Sequence, residues 1–265
     1  MKNGSVKIND TEMYYVRFGV GEKILTVLPG LSDGLTTVKG KALLLAGPYL
    51  KYRKEYTVYM FSRKEDMPEG YSIQDMAADQ IRALKLLGIE KTSVLGVSEG
   101  GMIAVYMCAD APEMIEKAVL AVTAPAVNPV IEDNIRRWIT FTEKGDHKGL
   151  MRDTAECMYS GDYLRKNRMA LPLLGLVGKP ETYDRFRINA EAILHCDAEN
   201  RLSDIRCPVL IIGGKKDRIV GPQASLQMHE MIAGSELYMY ETIGHAPNDE
   251  DKAFYDRVFS YLNRS

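Results

Sequence analysis

Ser98 has the sequence surroundings expected of a nucleophilic serine. It lies in the pentapeptide Gly96-Val97-Ser98-Glu99-Gly100, after an apolar run typical of a buried strand and before a run typical of a helix. The pattern G-x-S-x-G alone is a weak signal, and its position between a strand and a helix makes it informative. The glycines allow a tight turn that exposes the hydroxyl, and the helix N-terminus offers N–H groups to a developing negative charge. We therefore predict that Ser98 attacks a carbonyl carbon.

A serine hydroxyl needs a base that accepts its proton, and the sequence offers four histidines. His245 follows the last predicted strand through a short loop, at the sheet edge where Ser98 should lie. The remaining three fit less well. His147 is predicted in a solvated turn, His195 in a structural role at the end of a helix, and His229 on an exposed polar helix. We predict that His245 is the base.

The base in turn needs an acidic partner that orients it, and Asp217 is the best candidate. It follows an apolar strand and a glycine-containing loop, which place its carboxylate at the same sheet edge. The alternative interpretation is a surface turn aspartate that pairs with a neighbouring basic side chain. Asp249 is the nearest competitor, but it comes after His245 in chain order. We predict that Asp217 orients His245.

Short strands that alternate with helical patterns predict a mainly parallel sheet with helices on its faces. The first two strands form a hairpin. The predicted strands are residues 5–8, 13–18, 24–28, 57–61, 93–97, 118–122, 208–212 and 237–240. The predicted helices outside the interval discussed next are residues 36–46, 72–87, 102–109, 226–232 and 253–262, of which 72–87 has the clearest amphipathic pattern, a capping box at its start and a glycine at its end.

The alternation stops between about residues 128 and 204, where the patterns indicate helices only. A helical insertion cannot extend a sheet, so we expect it to pack over one end. Ligands of such sheets bind outside the carboxyl ends of the strands. The sequence therefore predicts a core domain of residues 1–127 and 201–265 and a helical cap, or lid, of residues 128–200. The alternative is a helical elaboration that packs elsewhere.

In its order of Ser98, Asp217 and His245, the sequence resembles the α/β-hydrolase family, whose triad runs Ser…Asp/Glu…His. The resemblance covers nearly the whole chain, from the hairpin to the histidine. It implies a three-layer α/β-hydrolase sandwich with a mostly parallel eight-stranded sheet and a helical cap inserted after strand 6. It is specific for the fold and the triad, and it does not indicate the substrate.

The resemblance also implies an oxyanion hole made by two backbone N–H groups, those of Glu99 and Leu31. Two features depart from the family pattern. Many members carry His-Gly in the loop after the third strand, whereas this chain has Pro29-Gly30, so a supporting side chain is absent while the backbone donors remain. The residue after the nucleophile is a charged glutamate, whose carboxylate would repel an oxyanion if it faced it. We expect the Glu99 side chain to point away, towards a basic residue or the polar interior.

The expected function is hydrolysis of a small ester or related acyl compound through an acyl-enzyme, without a cofactor or a metal ion. The same three residues also support C–C bond hydrolysis, thioester cleavage, aminopeptidase action and perhydrolysis, and a non-catalytic ligand sensor could retain the same pocket. The Met, Leu and Trp content of residues 128–200 favours a hydrophobic small-molecule substrate, although packing of the cap on the core would require the same side chains.

Length and composition are those of an ordinary globular domain. The 265 residues carry a net charge of 34 − 36 = −2, with 46% hydrophobic and 26% charged residues. This balance argues against disorder and against a nucleic-acid-binding protein that works by bulk positive charge. It leaves a monomer and a homodimer equally open.

Neither cysteine chemistry nor membrane insertion is predicted. The cysteines form no C-x-x-C pair and are interpreted as structural thiols: Cys108, Cys157, Cys196 and Cys207. The longest apolar stretches, residues 118–127 and 169–177, reach about half of the ~20 residues that span a bilayer. Residues 1–11 are polar and show no secretory signal, so we expect a cytoplasmic protein.

Overall fold

The computed structural model describes residues 1–169, 175 and 178–264, and within them eight strands form a single sheet. The strands are β1 Lys2–Ile8, β2 Thr11–Gly19, β3 Lys23–Leu28, β4 Tyr56–Phe61, β5 Thr92–Val97, β6 Ile115–Ala121, β7 Val209–Gly214 and β8 Glu236–Tyr240. Their order is β1-β2-β4-β3-β5-β6-β7-β8. The β1–β2 and β2–β4 pairs are antiparallel and the other neighbours are parallel, which confirms the mostly parallel eight-stranded sheet predicted from the sequence.

Helices cover both faces of this sheet and complete three layers. The α-helices in the described residues are α1 Ala42–Leu45, α2 Ile73–Leu86, α3 Glu99–Asp110, α4 Pro129–Glu143, α5 His147–Met158, α6 Gly161–Lys166, α7 Asp184–Leu194, α8 Pro222–Met231, α9 Pro247–Glu250 and α10 Phe254–Leu262. Consecutive residues of β5 belong to different cores, since Val94 is in the apolar cluster that includes residues of α2, α3 and α8, whereas Leu95 is in the cluster that includes residues of α10. The central strands are therefore buried on both faces, which is why they are continuous apolar runs.

The helix predicted at residues 72–87 is α2, and its ends follow the local signals. The Ser72 hydroxyl accepts a hydrogen bond from the Asp75 N–H at 3.1 Å, and the Asp75 carboxylate accepts one from the Ser72 N–H at 3.0 Å. This reciprocal pair is the predicted capping box. Gly88 follows with a φ of 70°, a conformation that suits glycine and ends the helix.

The helix predicted at residues 36–46 is mostly wrong. Only α1 is α-helical there, and short 3-10 turns occur at Leu31–Gly34, Gly47–Tyr49 and Tyr52–Lys54. Gly40 has a φ of 77°, which interrupts any helix through this region. The Val38 N–H donates instead to the Ser62 hydroxyl at 2.9 Å, so the backbone is held by a contact distant in sequence.

Between β6 and β7 the described residues form helices α4 to α7 and a 3-10 helix at Glu199–Asp204. Helix α4 begins where the sequence provides a cap, because the Asn128 side chain accepts hydrogen bonds from the N–H groups of Val130 and Ile131, at 3.0 Å each. The apolar run at residues 169–177 lies mostly outside the described residues. In the part of the chain that is described, no helix has the length and hydropathy needed to cross a bilayer.

Candidate active site

Ser98 occupies a sharp turn between β5 and α3. Its φ of 56° and ψ of −124° are rarely adopted by a non-glycine residue. The neighbouring glycines permit this turn because side chains there would collide with backbone. A Cβ at Gly96 would overlap Gly100, and a Cβ at Gly100 would overlap the carbonyl oxygen of Leu28. The predicted G-x-S-x-G turn is therefore enforced by close backbone contacts on both sides.

The strand order brings three loops to one edge of the sheet. Ser98 follows β5, Asp217 follows β7 and His245 follows β8, and these strands are parallel. The loops meet because parallel strands end at the same edge. In the structure His245 Nε2 lies 2.9 Å from Ser98 Oγ, and His245 Nδ1 lies 2.8 Å from Asp217 Oδ2. The three predicted residues thus form one continuous chain of contacts.

Asp217 is fixed by more than the histidine. Its Oδ1 accepts hydrogen bonds from the N–H groups of Ile219 at 2.8 Å and Val220 at 3.0 Å, while Oδ2 faces His245. Burial alone would raise the pKa of Asp217, but the His245 charge and hydrogen bond, with the two backbone donors, outweigh it and lower this pKa below its usual value. Asp217 is therefore held as a buried carboxylate at neutral pH.

The competing aspartate is engaged elsewhere. Asp249 Oδ2 accepts a hydrogen bond from the Tyr159 hydroxyl at 2.9 Å, and Asp249 Oδ1 accepts one from Asn248 at 2.8 Å. Asp217, as predicted, is the carboxylate that contacts His245.

Two of the other histidines lie where the sequence predicted and one does not. His195 is exposed at the end of α7, and His229 is exposed on α8. The prediction for His147 is wrong, because only 4% of this residue is exposed. It lies in the first turn of α5 with its ring centroid 6.2 Å from that of Tyr183. Its neighbours in sequence are polar, so its burial follows from tertiary packing and not from local pattern.

The loop after β3 lies directly against Ser98. A Cβ built on Gly30 would be 3.2 Å from Ser98 Cβ and 3.6 Å from its hydroxyl oxygen. The Leu31–Gly34 turn begins at the next residue, and Glu99 is the first residue of α3. The first N–H groups of a helix have no acceptor within it. Both N–H groups predicted for an oxyanion hole therefore belong to elements that adjoin Ser98.

The side chain of Glu99 points into the protein, as expected, and its partner is an arginine that the sequence analysis missed. Glu99 Oε2 lies 2.9 Å from Arg63 Nη2, and both side chains are fully buried. Arg63 follows β4 by two residues, at the same sheet edge as the other site residues. That position after a predicted strand was the only local signal for it. Burial raises the pKa of Glu99 to about 7, an effect that Arg63 opposes and Asp33 reinforces.

The raised pKa of Glu99 predicts a pH-dependent stability difference between wild type and Glu99→Gln. An unfolded glutamate releases its proton near pH 4.5 and the folded one near pH 7, so folding retains a proton between these values. The ionisation of Glu99 therefore lowers the free energy of unfolding of wild type as pH rises from 4.5 to 7, by up to about 3 kcal/mol. Glu99→Gln lacks this loss, so its stability relative to wild type should increase over that interval in urea denaturation.

The matched control for that measurement is Glu236→Gln, which removes a carboxylate from an exposed pair with Arg264. Exposed pairs contribute little, so its stability relative to wild type should stay nearly constant with pH. A Glu99→Gln curve parallel to the wild-type curve from pH 4.5 to pH 8 would contradict the assignment of the proton to Glu99.

A cavity of about 380 Å³ opens on Ser98 and His245. Most of its wall is apolar, and both the sheet region and the segment between β6 and β7 contribute side chains. From the first come Leu31, Leu35, Val97 and Ile219, and from the second Trp138, Leu150, Met151, Met158 and Phe186. The His245 N–H also donates to the Met158 carbonyl at 2.9 Å. The segment between β6 and β7 thus contacts the site directly.

Comparison with known proteins agrees with this architecture. The sequence model of the family described as alpha/beta hydrolase fold matches residues 57–145. The chain is 26% identical over 204 residues to the putative carbamate hydrolase RutD of Pseudomonas savastanoi pv. phaseolicola (strain 1448A / Race 6), covering 75% of this chain and 78% of the relative. It is also 26% identical over 256 residues to the serine hydrolase BPHL of Homo sapiens, covering 89% of this chain and 78% of the relative.

Among solved structures, the chain is similar to MGS-M2, an alpha/beta hydrolase enzyme from a Medee basin deep-sea metagenome library. The TM-score is 0.85 at 20% sequence identity, with 99% of this chain and 98% of that chain covered. At this identity the likeness concerns the fold, and it extends over the whole sheet and its helices. Together with the strand order and the matched family model, it shows that the chain has the α/β-hydrolase fold, and the relatives to which the chain is similar are named hydrolases.

Proposed function

We propose that this chain is a serine hydrolase that cleaves a small ester or related acyl compound through an acyl-enzyme. The observation that carries the proposal is the chain of contacts from Ser98 Oγ to His245 Nε2 at 2.9 Å and from His245 Nδ1 to Asp217 Oδ2 at 2.8 Å. It supplies a nucleophile, a base within reach of its proton, and a carboxylate that orients the base.

In the first half of the reaction, His245 Nε2 accepts the hydroxyl proton as Ser98 Oγ attacks the carbonyl carbon. The Asp217 carboxylate accepts the Nδ1–H hydrogen bond, which keeps Nε2 free to act as base and stabilises the imidazolium. The N–H groups of Leu31 and Glu99 donate to the oxyanion of the tetrahedral intermediate. His245 then returns the proton to the leaving group, and the acyl group remains on Ser98.

In the second half, water attacks the acyl-enzyme. His245 Nε2 accepts a proton from the water, the same two N–H groups stabilise the second oxyanion, and the proton passes to Ser98 Oγ as the acid leaves. No group outside the protein, the substrate and water is needed for atoms and protons to balance.

The apolar wall of the cavity supports a small hydrophobic acyl or alcohol group as substrate. A pocket of about 380 Å³ is at the small end of the range for ligand sites. We also propose that residues 128–200 form a cap over a core of residues 1–127 and 201–265. Trp138, Leu150 and Phe186 from that segment line the cavity, which supports this division.

A fluorophosphonate probe tests the proposal, since it reacts with activated serines. We expect wild type and the exposed control Ser203→Ala to be labelled, and Ser98→Ala to remain unlabelled. A chain-length series of p-nitrophenyl esters would then size the pocket, with a carbamate included because the RutD relatives are named for that substrate. Folded wild type that is not labelled, yet retains a small ligand tightly, would contradict hydrolysis and favour a ligand sensor.

A further inference from the structure

A cluster of four charged side chains lies behind the Gly30–Leu31 peptide, away from the cavity. It consists of Asp33, Arg63, Glu99 and Arg185. Asp33, Arg63 and Glu99 are each 2% exposed or less. Burying a charge costs free energy unless partners compensate it. We therefore ask which parts of the site these four side chains connect.

Arg63 connects two elements of the site at once. Its Nη2 donates a hydrogen bond to the Pro29 carbonyl at 2.8 Å and lies 2.9 Å from Glu99 Oε2. Pro29 precedes the Gly30–Leu31 peptide. One guanidinium nitrogen thus contacts both the β3 loop and the first residue of α3.

The sheet explains why an arginine at this position can do so. Strand β3 lies between β4 and β5, with Val27 paired to Met60 on one side and Leu28 paired to Gly96 on the other. The loop after β3 is therefore flanked by Arg63, which follows β4, and by the Ser98 turn, which follows β5. The Arg63 side chain extends past the loop after β3 and contacts Glu99.

Asp33 and Arg185 hold Arg63 in place. Asp33 Oδ2 accepts a hydrogen bond from the Arg63 backbone N–H at 2.9 Å and lies 3.2 Å from Arg185 Nη2. Arg185, on α7, also donates to the Glu65 carbonyl at 2.9 Å. The turn after β3, the end of β4 and helix α7 are thereby tied together around Arg63.

We propose that Arg63 is a positioning residue that sets the spacing between the N–H groups of Leu31 and Glu99. This inference rests on the proposed function of those groups as oxyanion donors. The two donors belong to different elements, and small displacements of preorganised donors cost large factors in rate. Arg63 does not line the cavity, so it acts on the transition state and not on substrate binding.

The test compares kcat and KM for a p-nitrophenyl ester in Arg63→Met, Arg63→Lys and the double variant Arg63→Met/Glu99→Leu. We expect Arg63→Met to lower kcat about 10²-fold, the lower end of the effect of losing one oxyanion donor, with KM changed less than threefold. Arg63→Lys should recover part of the rate. Affinity for a trifluoromethyl ketone, which mimics the tetrahedral intermediate, should fall in parallel with kcat.

The double variant separates positioning from charge balance and from folding. Arg63→Met alone leaves Glu99 buried without its counter-charge, whereas replacing both partners by apolar residues is often tolerated. We expect kcat of the double variant to stay low, because Leu at position 99 cannot restore the contact with the Pro29 carbonyl. Wild-type kcat in the double variant would overturn the inference, since Arg63 would then only neutralise Glu99.

One control variant and the dependence of turnover on Ser98 make the possible failures distinguishable. Arg264→Met removes an arginine from an exposed pair with Glu236 and should leave kcat and KM unchanged. Ser98-dependent turnover in wild type that Arg63→Met leaves intact would overturn this inference alone. Wild-type turnover that does not depend on Ser98 would overturn the proposed function and this inference with it.

Discussion

Ser98→Ala is expected to lower kcat by about 10⁵–10⁶-fold, because alanine offers no oxygen for attack and the acyl-enzyme cannot form. The turn itself should survive, since alanine differs from serine only by the hydroxyl and keeps the same backbone requirement at a φ of 56°. Steady-state hydrolysis of the best p-nitrophenyl ester, with circular dichroism as a check on folding, measures this directly. Residual activity near the wild-type level would contradict the assignment of the nucleophile.

The same residues should act as a unit, which gives a stricter test. His245→Ala is expected to cost nearly as much as Ser98→Ala, and the double variant should be no slower than the worse single variant. His229→Ala and Ser203→Ala are matched controls on exposed positions and should stay within about twofold of wild type. Additive losses in the double variant would indicate that Ser98 and His245 work independently, contrary to the 2.9 Å contact between them.

The parts of the fold that were predictable are those specified by local sequence. The strand runs are continuous and apolar because both faces of the sheet are covered, and α2 begins and ends at residues whose backbone roles are known. The meeting of Ser98, Asp217 and His245 at one place could be predicted for a related reason. Each follows a strand of a parallel sheet, so topology alone brings their loops to one edge.

What could not be predicted depends on contacts between distant segments. The wrongly predicted helix at residues 36–46 is one case, because the Val38 N–H donates its hydrogen bond to the Ser62 hydroxyl and not to a carbonyl within a helix. The burial of His147 is another. Arg63 is the case with most bearing on function. Its contact with Glu99 could be predicted only if the strand order, in which β4 and β5 flank β3, were known, and the sequence alone does not give that order.

Asp217→Asn is expected to lower kcat about 10⁴-fold at neutral pH, through the tautomer of His245. The Oδ1 position of residue 217 accepts two backbone N–H groups, from Ile219 and Val220. An asparagine must keep its oxygen there, because its NH₂ group cannot accept those bonds. The NH₂ group then faces His245 Nδ1 and makes it an acceptor, which places the imidazole proton on Nε2. A protonated Nε2 cannot take the proton of Ser98.

The pKa of Asp217 gives this variant a second signature. The native environment lowers that pKa, so wild type gains stability from the carboxylate above its unfolded pKa of 3.8 and loses it as pH falls below that value. Asp217→Asn has no proton to bind, and its stability relative to wild type should improve on acidification from pH 5 to pH 2 in urea denaturation. Asp204→Asn, at a partly exposed pair with Arg201, serves as the control and should leave kcat unchanged. A wild-type kcat in Asp217→Asn would contradict the role of Asp217, because it would show that another group keeps His245 in the tautomer with a free Nε2.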